Sequence, residues 1–239
     1  MVDAQPFAVP FEETTLIGDI YPDGGKPTVL FLHGAGGGHR GRFDLLRERL
    51  AQEGIASAAF DCIGHGETGG DLKTSSLDHR TDQTKAAIHH LGLSDFHLVG
   101  SSMGGYTAVD LLKSITPLSL TLMVPAAFPV GSSSKRFNDG FTEAIREKDA
   151  WKTSEAFSLL KQYTGHVLVL VAENDKIIPP EIPQGLYDAA TQAASRELFT
   201  IAGADHLLMG HLTRHPEVMD MIVQKMVSIF KTKYYAPAL

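Results

Sequence analysis

The chain has 239 residues, 43% hydrophobic and 21% charged, with a formal net charge of −7 and no basic block. That balance argues against a polyanion-binding surface, so neither nucleic acid nor an anionic membrane is an expected partner. Cys62 is the only cysteine, so no intrachain disulfide can form and a reducing compartment is expected. Residues 1–6 carry neither the basic segment nor the apolar run of a secretion signal, and no apolar stretch approaches the ~18–20 residues needed to span a bilayer. The expectation is a soluble, cytoplasmic protein.

Short apolar strands alternate with amphipathic helices, the pattern of a mainly parallel sheet covered by helices on both faces. An early strand is expected at 16–21, followed by a turn at 22–25. Residues 28–32 (Thr-Val-Leu-Phe-Leu) are a continuous apolar run, as a strand buried on both faces requires. Phe43, Leu46 and Leu50 recur at helical spacing among charged residues and predict a helix ending at Gly54. A strand at 55–60 and a helix at about 77–91 come next. Residues 96–99 then run as a strand into a serine turn, with a helix expected over 103–113 and a strand over 118–124. From about 125 to 165 the alternation breaks, and this stretch is read as a small cap-like insertion, at about 126–165, within a single domain spanning 1–239. Strands at 166–171 and 197–201, a helix at 181–194 and a last helix after Pro216 complete the pattern.

The serine turn is Gly100-Ser101-Ser102-Met103-Gly104, a G-x-S-x-G sequence between a strand and a helix. A chain that turns from strand to helix within about two residues forces the central serine into a strained conformation. Glycines two residues before and after it remove side chains that would collide at such a corner. Ser102 is therefore a candidate nucleophile at a strand tip beside a helix N-terminus, which favours negative charge. Ser101 is the neighbouring alternative, but Gly100 and Gly104 centre the motif on Ser102.

A serine attacks at neutral pH only when a base removes its proton, and the base is best a histidine steadied by a carboxylate. Two downstream segments supply these groups. Asp175 follows the apolar run 167–171, and His206 follows the predicted strand 197–201. Ser102, Asp175 and His206 would thus all lie at C-terminal strand ends, where open α/β sheets place their sites. Glu173, Asp188 and Asp205 are the competing acids, although Asp205 adjoins His206 and is poorly placed to bond its ring.

With these segments the chain resembles an α/β-hydrolase of the serine esterase type over roughly residues 14–232. The resemblance implies a doubly wound, mainly parallel sheet of about eight strands and the chain order serine, acid, histidine. His33-Gly34-Ala35-Gly36-Gly37 resembles the family's oxyanion loop, which would make the Ala35 and Met103 amides the oxyanion donors, with Gly34 beside the substrate. The loop 61–68 and the segment Ala172-Glu173-Asn174-Asp175 also match the family, with Ala172 where glycine is commoner. The implied reaction is hydrolysis of small-molecule carboxylic esters with small to medium acyl groups, without a cofactor. Thioester, peptide or carbon–carbon bond hydrolysis uses the same machinery, and a ligand-binding receptor could retain the same pocket.

Other patterns point elsewhere. Gly36-Gly37-Gly38-His39-Arg40-Gly41 formally matches a dinucleotide loop with Asp61 at the expected distance, but the His33-Gly34 pair and the serine turn favour hydrolysis. No Lys-Ser/Thr follows Gly41, which excludes a phosphate-binding P-loop. His206, His211 and His215 lack the spacing of a metal motif, so no metal is expected. His33 and His65 are read as shaping loops. Phe128 and Trp151, within the insertion, are candidates for lining an acyl pocket.

Overall fold

The computed structural model describes residues 3–22 and 24–232. Among the described residues eight strands form one sheet: β1 (Gln5–Phe11), β2 (Thr14–Tyr21), β3 (Val29–Leu32), β4 (Ser57–Phe60), β5 (His97–Ser101), β6 (Ser119–Met123), β7 (His166–Ala172) and β8 (Ser195–Ile201). Their spatial order is β1-β2-β4-β3-β5-β6-β7-β8. Only β1–β2 and β2–β4 are antiparallel; every pairing from β4 to β8 is parallel. Residues of β3, β4 and β6 are buried at every position, as continuous apolar runs covered on both faces must be.

Helices cover both faces. On one side α1 (Asp44–Gln52), α7 (Leu208–Arg214) and α8 (Pro216–Phe230) bury Leu46, Leu50, Leu212, Ile222 and Met226 against Val29, Phe31 and Leu168. On the other, α2 (Leu77–His90), α3 (Met103–Asp110), α5 (Glu155–Gln162) and α6 (Glu181–Ala189) close over Leu30, Leu98 and Leu120. A short helix, α4 (Phe141–Arg146), lies between β6 and α5.

Three elements depart from the sequence expectation. The strand β1 is unexpected because Pro6 and Pro10 interrupt its apolar pattern, yet proline is tolerated on an edge strand, and β1 pairs with β2 alone. The helix α7 is too short for its Leu208 and Leu212 to show a clear period. Helix α5, placed by the sequence inside the 126–165 insertion, packs against α3 and α6 through buried Ala156 and Leu160 as part of the covering layer. Ala126, Ala127, Phe128 and Phe141 of the same stretch are buried in one cluster with Met103, Ala156 and Leu160. The turn expected at 22–25 includes Asp23, which lies outside the described residues.

The strand order fixes where a site can form. The connection from β3 leads to β4 on one side, whereas that from β5 leads to β6 on the other. The loops after β3 and β5 therefore diverge and leave a crevice above the carboxyl ends of these two neighbouring strands. Ser102 and Ala35 both lie there.

At the opposite end of the sheet, His97 is buried at the start of β5, its Nδ1 2.8 Å from Ser119 Oγ and its ring 4.5 Å from that of Phe230. Burial, reinforced by nearby His166, holds its pKa down at about 4. The unfolded chain takes up that proton first as pH falls, so this contribution leaves stability intact above the unfolded value of ~6.5 and erodes it from there towards pH 4. Urea midpoints measured near ~pH 7.5 and ~pH 5 should differ less in His97→Gln than in the parent; an unchanged difference would contradict the assignment.

Candidate active site

The corner after β5 is closed by direct backbone approach. Ser102 adopts φ 53° and ψ −116°, a left-handed conformation that costs a non-glycine residue of order 1–3 kcal/mol. A Cβ on Gly100 would overlap the Gly104 carbonyl, and a Cβ on Gly104 would overlap the Leu32 carbonyl of β3. The two glycines thus let the start of α3 press against β5 and β3. Ser102 is held in place by its own amide, which donates to the Met123 carbonyl at 2.9 Å, and by its carbonyl, which accepts from Gly105 and Ala126.

Three residues distant in sequence meet at this corner. His206 Nε2 is 3.1 Å from Ser102 Oγ, and His206 Nδ1 is 2.8 Å from Asp175 Oδ2. The other oxygen of Asp175 accepts from the Ile177 and Ile178 amides at 2.8 and 3.0 Å. A carboxylate held this way is an acceptor towards His206, so Nδ1 carries the ring proton and Nε2 presents its lone pair to the serine hydroxyl. The Asp175 side chain is 8% exposed and that of His206 20%, so the pair is shielded from most competing water.

The loops bearing the acid and the histidine are laced together. The Glu173 amide donates to Ile201, the Asn174 amide donates to Ala204, and the Gly203 amide donates to Glu173 Oε2. Of the competing acids, Glu173 ties the two loops, Asp205 accepts from the Leu207 amide, and Asp188 accepts from Gln184. Among these four acids it is Asp175 that bonds the His206 ring.

The loop after β3 is braced by His33. The Cys62 amide donates to its Nε2, so Nδ1 bears the proton and donates to the Gly34 carbonyl at 2.6 Å. In a trans peptide the N–H points opposite to the C=O, so this bond also sets the direction of the Ala35 N–H. Burial first, and then the Arg80 guanidinium that donates to the His33 carbonyl, pull the His33 pKa well below its usual value and keep the ring neutral. His65 packs 4.7 Å from the His33 ring. The Met103 amide, first in α3, has no acceptor within its helix. Gly34 touches the Ser102 corner, since a Cβ there would sit 3.2 Å from Ser102 Cβ.

Two spaces open onto Ser102. The larger is a cavity of about 560 Å³ walled by Ala35, Met103, Phe128, Trp151, Ile178 and Ile182, so both candidate pocket aromatics are brought to it. Phe128 is at once wall and glue, its ring 5.0 Å from Tyr106 and 5.5 Å from Phe141. The smaller is a groove of about 120 Å³ shared by Ser102, His206, Arg42, Leu207 and Met209. The sequence reading missed Arg42, Glu147, Asp149 and Ile182, whose position at the site depends on long-range chain packing that no local pattern records. His211 and His215 stack on one another at 4.3 Å, and among the described residues no three His, Cys, Asp or Glu side chains converge to hold a metal ion.

Residues 29–158, more than half of the chain, match the alpha/beta hydrolase family. The chain belongs to that family. A relative from Pseudomonas putida, a 2-hydroxy-6-oxononadienedioate/2-hydroxy-6-oxononatrienedioate hydrolase, is 36% identical over 88 residues, 36% of this chain and 31% of that protein. The dihydrolipoyllysine-residue acetyltransferase component of an acetoin cleaving system from the same species is 29% identical over 205 residues, 82% of this chain and 51% of that protein. The match thus spans about a third of the first relative's length and about half of the second's. The family fold recurs in Est1E from Butyrivibrio proteoclasticus bound to ferulic acid (TM-score 0.73, 17% identity, 95% of this chain and 100% of that one). It recurs too in a thermophilic esterase from Thermogutta terrifontis (TM-score 0.72, 21% identity, 95% and 100%). Among the described residues no helix is long and apolar enough to cross a membrane.

The corner geometry sets a mechanical test. Gly104→Ala must push α3 away from β3, because the new methyl meets backbone rather than a movable side chain. Overpacking of this kind costs ~1–3 kcal/mol, read as a lower urea midpoint at constant m-value; an unchanged midpoint would contradict the close approach.

Proposed function

We propose that the protein is a serine esterase that hydrolyses small-molecule carboxylic esters of small to medium acyl groups through an acyl-enzyme, without a cofactor. The observation that carries this reading is the unbroken contact from Ser102 Oγ through His206 to Asp175, at 3.1 and 2.8 Å, opening onto an apolar cavity.

Ser102 Oγ bonds to the ester carbonyl carbon as its proton passes to His206 Nε2, and Asp175 stabilises the imidazolium. The carbonyl oxygen gains negative charge facing the Ala35 and Met103 amides, whose direction is set before reaction and needs no reorganisation. The bond to the alcohol oxygen then breaks, and that oxygen takes the proton from Nε2. Water next gives a proton to Nε2 and attacks the acyl carbon. The carboxylic acid leaves as the serine oxygen recovers its proton.

A second reading, hydrolysis of a carbon–carbon bond by the same residues, is favoured by the match to the Pseudomonas putida dioate hydrolase. The two readings differ in the leaving group, carbon or oxygen, and fold alone does not choose between them.

A fluorophosphonate should add one covalent equivalent at Ser102, located by intact mass and peptide mapping, and the enzyme should turn over 4-nitrophenyl butyrate. Ser102→Ala should lose both the label and, by ~10⁴-fold or more, the turnover. Undiminished hydrolysis by the variant would contradict the assignment of Ser102. Turnover of a vinylogous 1,5-diketone with no ester hydrolysis would favour the second reading.

A further inference from the structure

The two spaces that meet at Ser102 carry opposite charge. The mouth of the large cavity is lined by Glu147, Asp149 and Glu181, and the cation there is Lys152, which pairs with Asp149 at 3.3 Å. Three carboxylates against one ammonium leave this mouth net negative, above a floor of Met103, Phe128 and Ile182 whose side chains offer no donor to a buried anion. The small groove has the reverse character. Its charged side chain is Arg42, whose Nε donates to the Gly37 carbonyl at 2.9 Å, and among the described residues no carboxylate pairs with this guanidinium.

The histidine decides which part of a substrate enters which space. The departing oxygen must take its proton from His206 Nε2, and His206 lines the groove rather than the cavity. The leaving group therefore lies along Arg42, Leu207 and Met209, and the acyl group occupies the cavity.

We propose that the site sorts esters by charge on either side of the scissile bond. Glu147, Asp149 and Glu181 select an uncharged or cationic aryl-alkyl or medium-chain acyl group, while Arg42 favours a leaving group that bears a carboxylate. This rests on the esterase reading, since it assigns the two spaces from the proton path of ester cleavage. A carboxylate on the distal end of the acyl chain must pass the acidic mouth and then be desolvated over an apolar floor, both unfavourable. The carboxylates are exposed, so their effect is moderate and falls with added salt.

The test compares kcat/KM for two 4-nitrophenyl esters of equal acyl length, hexanoate and the monoester of hexanedioate. At low ionic strength the parent enzyme should prefer the uncharged acyl group by roughly tenfold or more. That preference should shrink in the variant Glu147→Gln/Asp149→Asn/Glu181→Gln, and in the parent at ~0.5 M NaCl, where the Debye length drops to ~4 Å. Equal rates for the two esters, or a preference that neither the substitutions nor salt alter, would overturn the acyl half.

On the other side, hexanoyl esters of 4-hydroxybenzoate and of its neutral methyl ester are compared in the parent and in Arg42→Gln. The substitution should lower kcat/KM for the carboxylate-bearing ester severalfold more than for the neutral one, a double difference that cancels intrinsic leaving-group reactivity. Equal effects would overturn the leaving-group half. Failure of the parent to hydrolyse any of the four esters would instead overturn the esterase reading, and the sorting with it.

Discussion

A serine hydroxyl gives up its proton at neutral pH only to a base whose lone pair is already aimed at it. Several contacts at the carboxyl end of this sheet hold one imidazole in that pose. Asp175 holds the Nδ1 side of the His206 ring, Nε2 faces Ser102, and the loops carrying the acid and the histidine are stitched by Glu173, Asn174 and Gly203. The bond itself is short and local. Its geometry is maintained by three strands whose carboxyl ends point the same way, which is what a parallel sheet provides.

The same constraint explains the strain at Ser102. A serine in an ordinary conformation would lie along the strand or within the helix, where its hydroxyl would meet backbone rather than a histidine. The left-handed turn lifts it out, and the cost is offset by the packing of α3 on β5 and β3 that Gly100 and Gly104 permit. The neighbouring loop is organised on a similar principle. His33, kept neutral by burial and by Arg80, bonds the Gly34 carbonyl and so fixes the direction of the next amide. Rigid support beneath the reacting atoms, rather than extra contacts to substrate, is the common feature.

Much of this was legible in the sequence because it depends on local pattern. The run 28–32 read as a doubly buried strand, and Gly100 and Gly104, set between a strand and a helix, read as framing a tight corner around Ser102. Asp175 and His206 were recognisable because each follows an apolar run at a strand end, and Asp205 was disfavoured by adjoining His206, whereas Glu173 could be set aside only once the loops were seen to be laced. The edge strand β1 was hidden by its prolines, whereas a helix through 151–163 was legible and only its place in the covering layer was not, because the break in alternation before it obscured where that layer resumed. The charged mouth of the cavity was not legible at all. Glu147, Asp149 and Glu181 read as ordinary solvated residues until the chain between β6 and α5 brings two of them opposite the start of α6.

The central claim is that one hydroxyl, one imidazole and two amides act on a single carbonyl. A crystal structure of the protein after reaction with a fluorophosphonate tests it most directly, because the tetrahedral phosphorus stands in for the reacting carbon. The account predicts a bond from Ser102 Oγ to phosphorus, with the phosphoryl oxygen about 2.7–3.1 Å from the Ala35 and Met103 amide nitrogens and the leaving-group side turned towards His206. An adduct on another residue, or a phosphoryl oxygen turned away from both amides, would contradict it.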